Sequence, residues 1–105
     1  MLKKIYNEVT REWDTSVEEA LKSFIRLPAL SPDFDKKWEE NGVLLKALEE
    51  AKAWAEKQGI KGLRCEIIKD DGFTPCLFIE VDATSDKKFE RSVFFYGHLD
   101  KQPPN

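Results

Sequence analysis

The chain has 105 residues and a mass of 12.2 kDa, which suits one compact domain and leaves no room for two of ordinary size. Hydrophobic residues make up 41% and charged residues 35%, which excludes a disordered tail, and the longest apolar runs are four residues, at 76–79 and 93–96, where a membrane span needs about 20. Seventeen basic residues against 20 acidic ones give a net charge of −3 with no clustered basic face, so a nucleic-acid partner is not expected. Residues 1–8 hold no long apolar stretch, so no signal peptide is read and the expected compartment is the cytoplasm.

Leu2, Ile5, Tyr6, Val9 and Trp13 recur at helical spacing, predicting a first amphipathic helix or a loosely packed lead-in. Thr15 and Glu18 fit a capping box that would start a second helix over 16–26. Val17, Ala20, Leu21, Phe24 and Ile25 form its apolar stripe, and Pro28 ends it by disfavouring helix at Leu27. Residues 27–40 read as a loop punctuated by Pro28, Ser31, Pro32 and Asp33, with Phe34 and Trp38 pinning it to the body. Asn41 is the N-cap of a helix over 43–58, buried through Leu44, Ala47, Leu48, Ala51, Trp54 and Ala55, with Gly59 as its terminator.

Three strands are expected next. Leu63, Cys65 and Ile67 alternate with Arg64, Glu66 and Ile68, and Asp70-Asp71-Gly72 signals a hairpin turn into a return strand over 76–81. A two-residue turn at Asp71-Gly72 would set Cys65 opposite Phe78 and Cys76 opposite Ile67, so the two cysteines are read as separate, reduced core thiols. Residues 82–91, with Asp86-Lys87-Lys88, read as a loop. The third strand, 92–97, carries Val93-Phe94-Phe95-Tyr96 without alternation, which suits a strand covered on both faces in an α/β sheet.

The single histidine, His98, follows that strand, and chemistry in open α/β sheets gathers beyond the carboxyl ends of strands. His98 and Asp100 are two apart, so in extended backbone both side chains point to one side. A histidine can bind a metal through one ring nitrogen while a carboxylate takes the proton on the other. A surface ion pair is the plain alternative, and one histidine with one aspartate does not complete a zinc centre. The pairs Glu18-Glu19, Glu39-Glu40 and Glu49-Glu50 read as solvated faces. Trp13, Trp38 and Trp54 read as packing residues.

Gly97-His98-Leu99-Asp100-Lys101-Gln102-Pro103 resembles the first motif of the dizinc exopeptidases and deacylases, a family that includes carnosinase-like dipeptidases, glutamate carboxypeptidases, aminoacylase and succinyl-diaminopimelate desuccinylase. Residues 24–31, Phe-Ile-Arg-Leu-Pro-Ala-Leu-Ser, resemble the family's helix end and following loop, and Asn41-Gly42 with the helix up to Trp54 fit its next element. The resemblance implies an α/β fold of two N-terminal helices, a β-hairpin and a buried third strand, as part of a larger zinc-exopeptidase-like catalytic domain. It implies that His98 ligates one of two zinc ions and that Asp100 orients it as a catalytic-site residue. It implies a zinc-dependent amidohydrolase acting on a dipeptide or N-acyl amino acid, and a second domain that mediates dimerisation. In that family the remaining carboxylate ligands, the second histidine and the glutamate base come later in the chain. The sequence ends five residues after Asp100, so residues 1–105 alone are expected not to hydrolyse peptides. An unpaired edge beside the third strand would favour a homo-oligomer. The alternative is a non-catalytic α/β module that binds itself or a homologous subunit through that edge.

Overall fold

The computed structural model describes residues 1–85 and 91–105; the Asp86-Lys87-Lys88 part of the expected loop lies outside them. The chain begins with one continuous helical run in three parts. Helix α1 spans Leu2–Glu12, a π-helical turn spans Trp13–Val17, and α2 spans Glu18–Arg26. The capping box is therefore not formed. Thr15 lies inside the run and its hydroxyl donates to the Arg11 carbonyl at 2.7 Å. The physical reason is that α1 already supplies carbonyls to the amides that a cap would have satisfied. Helix α2 ends as the sequence requires, with Leu27 extended (φ −70°, ψ 125°) before Pro28.

The following segment is more structured than a plain loop. Leu30 pairs with Lys101 in a parallel bridge: the Lys101 amide donates to Ala29, and the Ser31 amide donates to Lys101, both at 2.9 Å. Asp35 accepts from the Lys37 amide at 3.0 Å and from the Asn41 side chain at 2.7 Å. A single helical turn, α3, spans Trp38–Asn41. The N-cap of α4, Val43–Lys57, is Gly42 rather than the expected Asn41, which ends α3; Asn41 still turns its side-chain oxygen to the Val43 amide at 3.1 Å, satisfying one of the free donors at the helix start. Gly42 between the two helices takes φ 67°, a left-handed conformation that side chains resist.

Strands β1, Leu63–Ile68, and β2, Cys76–Val81, form a two-stranded antiparallel sheet. The register differs by one residue from the two-residue-turn expectation. Cys65 faces Ile79 and Cys76 faces Ile68, because the connection is the longer segment 69–75. Within it Phe73 donates back to the Asp70 carbonyl at 3.2 Å and Gly72 takes φ 79°. The cysteines are not partners, as expected, but Cys76 is exposed rather than a core thiol. Along β1, partly buried Leu63, Cys65 and Ile67 alternate with exposed residues, the half-covered pattern that α4 imposes by packing on one face.

The core is small. Ala29, Leu44 and Ala47 form its centre, with Phe24, Leu27, Trp38 and Val43 packed against them, so Trp38 does pin its loop while Phe34 stays half exposed. Leu48 and Ala55 are also buried. The third strand is a correction to the sequence reading. Residues 92–97 carry no strand, and Val93, Phe94, Phe95 and Tyr96 are 80%, 81%, 88% and 86% exposed. The reason is that no described strand lies alongside to take up their amides and carbonyls. The whole chain is correspondingly open. Its accessible surface is 9310 Å², against about 6,100 Å² for a folded protein of this mass. Its radius of gyration is 16.5 Å, against about 13 Å for a compact domain. No helix among the described residues is long and apolar enough to cross a membrane.

Candidate metal-ligand site

Residues 96–100 run past the middle of α4 and the entry to β2. Together they enclose an open cleft of about 490 Å³, lined by the apolar Leu44, Ala47 and Leu48 of the helix and by His98 and Asp100. The histidine does not sit at the tip of a strand, because that strand is not formed. The relation between His98 and Asp100 nevertheless matches the sequence expectation. His98 Nδ1 lies 2.9 Å from Asp100 Oδ1 and 3.1 Å from the Asp100 carbonyl oxygen.

Both partners of Nδ1 are acceptors, which decides the tautomer. A carboxylate and a carbonyl can only receive, so Nδ1 carries the proton in these bonds. Nε2 is then left with its lone pair and makes no hydrogen bond among the described residues. The His98 side chain is 74% exposed, while that of Asp100 is 35% exposed. The pair thus presents a lone pair to solvent from a ring whose other edge is held. Such a nitrogen can accept a proton or form one coordination bond.

The pair fits one metal ligand and the carboxylate that orients it. It does not fit a complete centre. Zinc in catalytic sites takes about three protein ligands, and among the described residues no three His, Cys, Asp or Glu side chains come together in a metal-holding group. The carboxylate runs on α2, α3 and α4 lie outside any such cluster. Cys65 and Cys76 are also separate from it.

One residue in this region carried no signal in the sequence. Lys101 is quoted in the motif but has no recognisable pattern of its own. In the structure its ammonium donates to the carbonyls of Phe24 and Leu27, the latter at 2.5 Å, and lies 4.2 Å from the centre of the Phe24 ring. Partial burial lowers its pKa from the ordinary lysine value, and the Glu50 carboxylate acts in the opposite sense. Its partners are more than 70 residues away in sequence. Only the tertiary fold brings them to it.

No protein-family model matches the chain, and no curated protein matches it.

Proposed function

We propose that residues 1–105 are the N-terminal part of a zinc-dependent metallopeptidase or amidohydrolase of the dizinc exopeptidase and deacylase family, acting on the amide bond of a dipeptide or an N-acyl amino acid. The observation that carries this reading is the His98–Asp100 pair. The residues of the Gly97-His98-Leu99-Asp100 motif adopt a geometry in which the carboxylate holds Nδ1–H and leaves Nε2 to bind. The excess of exposed apolar surface, above all at 93–96, supports the reading that these residues belong to a larger catalytic domain.

In this function two zinc ions, when bound, supply Lewis-acid polarisation and an activated water. His98 contributes one ligand through Nε2. Asp100 fixes the ring orientation and raises the basicity of the ligating nitrogen. In the family that the motif resembles, the other ligands and the general base come from positions later than the His-x-Asp motif. The proposed compartment is the cytoplasm, and the proposed assembly is a homo-oligomer. A second reading rests on the same exposed segment: a non-catalytic module that joins a second copy or a homologous subunit through 93–96.

Zinc titration by calorimetry tests the first reading. The native chain is expected to bind zinc weakly, through one imidazole. His98→Ala is expected to abolish that binding, and Asp100→Asn to weaken it by about tenfold. Tight one-to-one binding that survives His98→Ala would overturn the assignment. Extending the chain with the coding sequence downstream of Asn105 should restore amide hydrolysis if the first reading holds. If activity stays absent while the native chain forms dimers that Phe94→Ser dissolves, the second reading is preferred.

A further inference from the structure

We propose that Lys101 is a positioning residue: it clamps the His98–Asp100 turn to the C-terminal end of α2, and so keeps the imidazole in the form that offers Nε2. The inference rests on the reading of His98 and Asp100 as the working pair. It adds a residue that the motif alone does not mark.

His98 can be held in place from either direction along the chain. On its N-terminal side, residues 93–96 are exposed and make no hydrogen bond among the described residues. Gly97 has nothing within 4 Å of where a side chain would start. Among the described residues, no hydrogen bond reaches the histidine from that direction. On its C-terminal side, Asp100 touches the ring twice and is followed directly by Lys101. The half-buried Leu99 lies in a pocket shared by α2 and α4 and seats the backbone between them, but the ring itself is held through Asp100, so its orientation depends on the backbone at 99–101.

Lys101 is fixed through both its backbone and its side chain. Its amide and carbonyl bond to Ala29 and Ser31, on either side of Leu30. One isolated bridge is a marginal strand pair. The side chain adds a separate attachment. It crosses to the end of α2, which carries the negative end of the helix dipole. The ammonium donates to the Phe24 carbonyl, which also accepts from the Leu27 amide, and to the carbonyl of Leu27 just past the helix, and it rests over the Phe24 ring. Leu27 and Phe24 also pack on the buried centre of the core, and Ala29 is fully buried. Lys101 thus ties the turn, from both its backbone and its side chain, to residues in and around the buried core.

The chain has one histidine, so the ring nitrogens of ¹⁵N-histidine-labelled protein give a single, unambiguous pair of signals. Spectra recorded where the imidazole is neutral read the tautomer directly and need no metal. The native chain is expected to be mainly protonated at Nδ1. Lys101→Met keeps most of the side-chain bulk but removes the charged donor, and is expected to invert the ratio toward the Nε2–H form that a free ring prefers in water. Lys101→Arg, which retains a cationic donor, is expected to restore the native ratio. A folded Lys101→Met chain with unchanged tautomer overturns the proposal. So does loss of its helical circular dichroism, since that would make the lysine a support of the whole fold rather than of this turn. Asp100→Ala, which removes the side-chain acceptor where Asn would keep a carbonyl oxygen, separates the His98–Asp100 pair from the clamp. If it leaves the tautomer unchanged, the His98–Asp100 pair itself has failed; if it shifts the tautomer and Lys101→Met does not, only the role of Lys101 has.

Discussion

Helix α4 and the segment 93–96 both carry large apolar side chains, and only α4 buries them. Leu44 and Leu48 are 8% and 7% exposed, while every residue of 93–96 is at least 80% exposed. Hydrophobicity does not explain the difference. A helix satisfies its own backbone, so α4 needs only cover for one stripe, which the end of α2, the 27–31 segment and the hairpin provide. A strand leaves its amides and carbonyls open until another strand arrives. Strands β1 and β2 meet that need for each other across the 69–75 connection. Residues 93–96 have no such neighbour among the described residues. The comparison teaches that an apolar strand sequence states what a segment can bury, while the partner decides whether it does.

Substitutions in the two regions should separate sharply. Leu44→Ala empties part of a core that has few buried side chains, and should cost about 3 kcal/mol in urea unfolding. A loss below about 1 kcal/mol would mean that α4 is no better packed than 93–96. Gly62→Ala should cost about 2 kcal/mol, since Gly62 has φ 79° and a new methyl would sit 2.9 Å from Cβ of Asp82 at the open end of the hairpin. Asn41→Ala removes the bond to the Val43 amide and should cost about 1 kcal/mol, with fraying confined to the first turn of α4 in hydrogen exchange. Phe94→Ser should change stability by no more than about 0.5 kcal/mol, while reducing self-association in sedimentation velocity. If Phe94→Ser is as destabilising as Leu44→Ala, the segment is packed in solution and the contrast fails.

The helices were the most legible part of the sequence, because their signals are local. Pro28 ended α2, and Asn41 and Gly59 bracketed α4 to within a residue of its observed end. The hairpin was legible in its strands but not in its register. Asp71-Gly72 marks a turn and the start of the return strand at Cys76 was legible, but nothing local fixes how many residues the connection holds, and the 69–75 segment sets the register one residue away from a two-residue turn. Thr15 and Glu18 misled for a related reason: a capping box is a start signal only where no helix already runs upstream. At the site, the spacing of His98 and Asp100 was enough to anticipate their bond, since two residues in extended backbone share a side. Lys101 was not legible. Its partners at Phe24 and Leu27 become neighbours only after the 101 strand bridge has formed beside Leu30.

The π-helical turn at Trp13–Val17 governs how the two N-terminal stripes line up. An unbroken α-helix turns about 100° per residue, and would place the Val17-Ala20-Leu21-Phe24 stripe about 70° round from the Leu2-Ile5-Val9-Trp13 stripe. Fitting one more residue into a single revolution rotates everything after it back by a similar angle. The two stripes therefore share one side of a 25-residue rod running from Leu2 to Arg26. Removing any one residue from that turn would leave the rod helical and swing α1's apolar side away from that of α2. The number of residues between Glu12 and Glu18 is thus under tighter geometric control than their chemical identity.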